Sequence, residues 1–152
     1  MAQSPDSIQR DANRVPIQSN EAFLVSKTRT FDGSAGNGAQ GASDLFTVTG
    51  DVLVTVFAVC SEDLVGAGTI EAGISGNTAA ILAQIANATN LDAGEVWSDS
   101  GPATVEALPG AKILSGADII ETIGTADITD GTITYYCLFR PLSEDATVTA
   151  AS

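Results

Sequence analysis

The sequence contains no histidine at all and only two cysteines among its 152 residues. Without His it loses the side chain that changes charge near neutral pH, the usual general base and the commonest metal ligand. A Ser-His-Asp constellation is therefore impossible, and so is a zinc site of the usual kind. Basic residues are also scarce, six against nineteen acids, for a net charge of −13 and a pI near 4.1. Such a surface repels phosphate, so nucleic acid is not an expected partner of the body. Aromatics number eight, and no apolar run approaches the roughly 20 residues of a membrane helix. The opening Met1-Ala2-Gln3-Ser4-Pro5 is polar and does not read as a signal peptide. Synthesis and retention in a cytoplasm, or export inside something larger, is the expectation.

What is present is unevenly distributed. Four of the six cations, Arg10, Arg14, Lys27 and Arg29, fall in the first 29 residues; from residue 30 onward only Lys112 and Arg140 face sixteen acids. Residues 1–20 have no sustained hydrophobic period, and Pro5 and Pro16 oppose a continuous helix. They read as an extended arm ahead of a body spanning residues 21–152. Mean hydropathy is nevertheless +0.20. The acids must then carry most of the solubility, leaving apolar surface for burial against partners.

The body reads as all-β. Residues 21–31 form a first strand candidate, and 32–43 a flexible Gly-rich loop. Residues 45–60 alternate around Gly50-Asp51, with Leu53, Thr55, Phe57 and Val59 on one face and Val52, Val54, Val56 and Ala58 on the other. Both faces are largely apolar, which predicts a central strand covered on both sides. Residues 69–75 form a strand with a turn at Gly76-Asn77; residues 78–88 read as a returning strand, although Ile81, Leu82 and Ile85 also fit a helical face. Short strands are expected at 95–98, 104–108 and 112–114. Residues 118–125 and 132–142 read as a hairpin closed at Asp130-Gly131. Residues 146–150 suit a last edge strand. Short strands between Gly, Asp, Asn and Pro punctuation predict an antiparallel sandwich or a jelly-roll-like barrel.

The motifs that suggest chemistry dissolve on inspection. Gly36-Asn37-Gly38-Ala39-Gln40-Gly41 fits G-x-G-x-x-G, but a strand, not a helix N-terminus, follows it. Asp127 and Asp130 fit turn geometry better than the six to eight oxygens calcium wants. Asn87-Ala88-Thr89 fits a glycosylation acceptor without a secretory context. Cys60 and Cys137 each sit in an apolar run and read as buried thiols, their pairing left open. No catalytic residue, cofactor or metal site is expected, and the chain does not read as an enzyme. Trp97 and Arg140 are candidate interface residues, the first as an aromatic anchor and the second as a charge pairing within the body or across a boundary. On the arm, Arg10, Asp11, Arg14 and Val15 are candidate partner contacts, because an Arg fork suits acidic neighbours. A surface-binding module for carbohydrate is the competing reading, with Trp97, Tyr135 and Tyr136 as its aromatics; strand alternation sets the two tyrosines on opposite faces.

Three segments carry a resemblance: Asp11-Ala12-Asn13-Arg14-Val15-Pro16, Leu91-Asp92-Ala93-Gly94-Glu95-Val96-Trp97, and Tyr136-Cys137-Leu138-Phe139-Arg140-Pro141-Leu142-Ser143 with the acidic turn and short tail after it. Together they resemble the small β-rich virion proteins of tailed bacteriophages. The resemblance implies a capsid decoration or cement protein on the capsid surface, bound outside the major capsid protein, often as a homotrimer, with the arm adding a strand to its neighbours. The chain is longer than the best-known small decoration proteins and carries its Gly-rich loop after the first strand. A head fibre base or another head or tail component stays open beside that reading.

Overall fold

Period-2 alternation dominates the chain, and the folded protein is two antiparallel sheets with their apolar sides together. A computed structural model describes residues 22–107 and 109–152. The first sheet contains β1 (Phe23–Thr30), β10 (Asp130–Pro141), β3 (Asp51–Val65), β6 (Val96–Ser98) and β7 (Gly101–Ala103) in that spatial order, with β8 (Lys112–Ser115) also pairing β3. The second runs β11 (Thr147–Ala150), β2 (Gly41–Thr49), β9 (Ile119–Gly124), β4 (Thr69–Ile74) and β5 (Asn77–Ile85). All registered strand pairs are antiparallel. The expected all-β sandwich is therefore the observed fold.

The core lies between the sheets. Strands β10 and β3 send Ile133, Tyr135, Cys137 and Phe139, and Val52, Val54, Val56, Ala58 and Cys60, into it. Facing them are Phe46, Val48, Ile70, Ala72, Leu82, Ile119, Ile123 and Val148. A bulge in β2 lets Asp44 pair Ile120 and Phe46 pair Ile119, so the intervening Leu45 is also fully buried. Trp97 ties the layers together: its indole Nε1 donates to the Ala83 carbonyl at 3.0 Å, and its ring meets Tyr135 edge-on at 6.0 Å.

Several expectations are corrected here. Strand β3 is central in its sheet, but the described residues cover only its Val52 side; Leu53, Thr55, Phe57 and Val59 are half-buried on the outer face. Strands β9 and β10 are not a hairpin, because they belong to different sheets. Residues 125–129 cross the sandwich edge, plugging the core with Ile128 and donating from the Thr129 amide to the Val65 carbonyl. Gly131 lies inside β10, and residues 104–107 of the expected 104–108 strand are not strand, the short strand falling instead at β7, Gly101–Ala103. Strand β5 confirms the returning strand, its turn one residue earlier at Ser75-Gly76. A 3₁₀ turn at Ala88–Asn90, capped by Asn87 through the Thr89 amide, is the only helical element among the described residues.

The Gly-rich loop is shorter and more ordered than expected. Ser34 and Asn37 bridge, and the Gly38 carbonyl accepts the Ile128 amide at 2.8 Å. Gly38 has φ +115, and a Cβ there would lie 2.0 Å from the Ile128 oxygen, so no side chain fits.

Candidate functional site

Buried polar groups are the first place chemistry could reside. Glu121 on β9 points into the core and is 1% exposed. Tyr135 on β10 donates its hydroxyl to one carboxylate oxygen at 2.7 Å, and Arg29 on β1 donates Nη2 to the other at 3.3 Å. Burial pushes the Glu121 carboxyl above its usual value, against the lowering effects of the Arg29 charge and the Tyr135 hydrogen bond. Burial likewise raises the Tyr135 phenol well above its ordinary value, with the Glu121 charge adding to it. Arg29 also donates to the Gly36 carbonyl and lies beneath the loop, with its Cζ 6.0 Å from the Phe31 ring centroid. The cluster ties β1, β9, β10 and the loop together, and its carboxylate oxygens are already engaged.

Other carboxylates are committed in the same way. Glu71, on the other side of the same sheet, accepts from Thr78 Oγ1 and from Gln84 Nε2 at 2.6 Å. Glu106 accepts from Ser98 and Ser100, each at 2.8 Å. Those hydroxyls hold the Glu106 carboxyl below its ordinary value, which makes it a weaker base. Asp127 Oδ1 accepts the Gln40 amide, and Asp130 Oδ1 the Gly131 amide, so both serve local backbone geometry. Among the described residues no three His, Cys, Asp or Glu side chains gather to hold a metal. Cys60 and Cys137 are free and buried on neighbouring strands. Cys60 lies across from Ile133 and Cys137 from Val56, four positions apart in register, so they do not pair. Burial raises both thiols, Cys137 to about 12.

The surface of the first sheet is different. Register places rows of outward side chains across it: Leu24, Leu138 and Thr55; Ser26, Tyr136 and Phe57; Thr28, Thr134 and Val59; and Arg140, Leu53 and Ile113. Tyr136 stacks on Phe57 at 5.3 Å and 18°. Thr28 and Thr134 hydroxyls meet at 2.9 Å. Leu24 is 58% exposed and Ile113 70% exposed. No carboxylate stands in these rows; Asp51 and Glu62 mark the two ends of β3 beyond them. Covering a fully exposed Leu or Ile returns about 1.5–3 kcal/mol, so a patch of this kind rewards burial.

The residues singled out in the sequence are scattered relative to this face. Trp97 is fully buried and serves the core, a correction to its reading as an interface anchor; its amphipathic ring found its hydrogen-bond partner inside. Arg140 lies on the outer face, opposite Leu53. Tyr135 is buried and Tyr136 half-buried on the outside, on opposite faces as alternation requires. The three aromatics named for a carbohydrate platform are thus divided between core and surface, and Phe57 is the true neighbour of Tyr136. Arg10, Asp11, Arg14 and Val15, with the arm assigned to residues 1–20, lie outside the described residues. The outer rows were legible in part, because the alternation of residues 53–59 was clear; their fate as surface depended on which sheet each strand joined.

No family model and no curated protein sequence matches the chain. Among solved structures, a chain of the cyanophage Pam1 capsid asymmetric unit is similar at a TM-score of 0.42 and 10% identity, covering 92% of this chain and 98% of that chain.

Proposed function

We propose that this protein is a structural component of a phage virion, of the capsid decoration or cement class, and not an enzyme. The observation that carries the reading is where the arm joins the body. Residues 1–21 lead through Ala22 into Phe23, the first residue of β1, an edge strand of the six-stranded sheet. A segment continuous with an edge strand can extend that edge or add a strand to a neighbour, gaining backbone hydrogen bonds with little demand on side-chain identity. Arg10 and Arg14 give that segment two cationic forks to set against acidic neighbours. The three segments that resemble tailed-phage virion proteins support the same reading. Major capsid protein is the proposed partner, and repeated weak contacts gain strength from effective concentration in a lattice.

The test is co-sedimentation with capsids that lack the protein. Full-length chain is expected to pellet with them, while a chain starting at Ala22, shown by circular dichroism to keep its sheet signal, stays in the supernatant. Equal pelleting of the two would remove the arm from the account. Failure of the full-length chain to bind any capsid would remove the decoration role, with a head fibre base as the next role to examine.

A further inference from the structure

We propose that the outer face of the six-stranded sheet is a self-association surface, where a second copy of this chain packs face to face. The face holds Leu24, Leu53, Phe57, Ile113, Tyr136 and Leu138, with one cation, Arg140, and no carboxylate between Asp51 and Glu62. In a chain with nineteen acids and a net charge of −13, that acid-free ground is the informative feature. A cationic partner would be drawn to the acidic loops and has no need of it. A partner as acidic as this chain does need it, because like charges set opposite each other oppose contact. A second copy is such a partner.

The geometry favours an isologous contact. If the face of one copy met the acidic loops of its neighbour, apolar rows would strip carboxylates of water without a counter-charge, and the outer face of the second sheet offers threonines such as Thr47 and Thr49 in place of matching apolar rows. If the two faces meet, Leu, Ile and aromatic rows bury each other, as in the aligned packing of two sheets. The Phe57–Tyr136 stack lies in the middle rows, where a two-fold axis would set it against its own copy. The result is a dimer, where the resemblance to virion proteins implies a homotrimer. It stands independently of the virion reading, since it needs no capsid.

Sedimentation velocity of the full chain tests it, across a range of protein concentrations and salt. The native chain is expected to dimerise, more so as salt screens the net charge. Leu24→Asp with Ile113→Asp adds two carboxylates at exposed positions of the face and is expected to weaken the dimer by about tenfold or more. Thr47→Asp with Thr49→Asp adds the same charge to exposed positions of the other sheet and should leave it unchanged. Thermal melts verify that both variants fold. A native chain that stays monomeric throughout overturns the proposal, and so does a face variant that dimerises like the native chain. Equal weakening by both variants overturns it as well, because total charge would then explain the loss. Loss of capsid binding in the face variant, with a monomeric native chain, would overturn it in favour of a different protein on the same face.

Discussion

Tyr135 and Tyr136 are adjacent in the chain and differ in everything else. Tyr135 is fully buried, donates to Glu121 and joins a buried cluster with Arg29. Tyr136 lies on the outer face, stacked on Phe57 beside Leu138 and Ser26. One step along a strand separates an interior whose carboxylate is fully engaged from a surface whose apolar groups await a partner. The contrast teaches that this sandwich holds a charged cluster inside for cohesion and keeps a charge-poor face outside for contact. In a chain with a net charge of −13, no carboxylate stands in those outer rows.

The contrast can be broken most forcefully from the inside. Glu121→Ala leaves the Tyr135 hydroxyl without its acceptor and the Arg29 guanidinium without its carboxylate, keeping only the Gly36 carbonyl, and is expected to cost about 3–5 kcal/mol in denaturant unfolding. Tyr135→Phe removes one hydrogen bond to a charged group, for about 1.5–3 kcal/mol. The neighbouring Tyr136→Phe should stay within about 0.5 kcal/mol of native, since its side chain stands on the outer face. Equal costs for the two tyrosines would erase the distinction.

How far the sequence foresaw this depends on the question asked. Alternation over residues 53–59 and 132–140 identified the strands and set the two tyrosines on opposite faces. Alternation states which side a residue takes but not which sheet a strand joins. Gly50, at φ +68, turns the chain from β2 in one sheet to β3 in the other, and residues 125–129 carry β9 away from β10. The first step looked like an interruption within one alternating segment, and the second like an ordinary hairpin turn. Glu121 was hidden for a related reason. A lone acid in a strand reads as solvent-facing unless its partners are known, and these lie 92 residues earlier and 14 residues later. Trp97 misled because an aromatic anchor and a core aromatic carry the same local signal.

Acidity sharpens the comparison more gently. The Glu121 carboxyl binds its proton more readily folded than unfolded, because burial raises it. Its contribution to stability is therefore fully present below the unfolded carboxyl value of about 4.3 and is lost as pH rises through the higher folded value. Lowering the pH from neutral to about 5 should thus raise the stability of the native chain relative to Glu121→Gln, read as the difference between the two melting curves. A constant or shrinking difference would mean the carboxyl is not raised. The smallest effect is expected at the thiols: Cys60 and Cys137, both buried and raised, the latter to about 12, should resist a thiol reagent until the chain unfolds. Rapid labelling of the folded chain would show that the core opens.

The most direct measurement is hydroxyl-radical footprinting of the full chain at low and high protein concentration, reading Tyr135, Tyr136 and Phe57 by mass spectrometry. The account predicts that Tyr135 is protected in both samples, while Tyr136 and Phe57 are oxidised when dilute and become protected together as copies associate. Unchanged oxidation of Tyr136 and Phe57 at high concentration would contradict it.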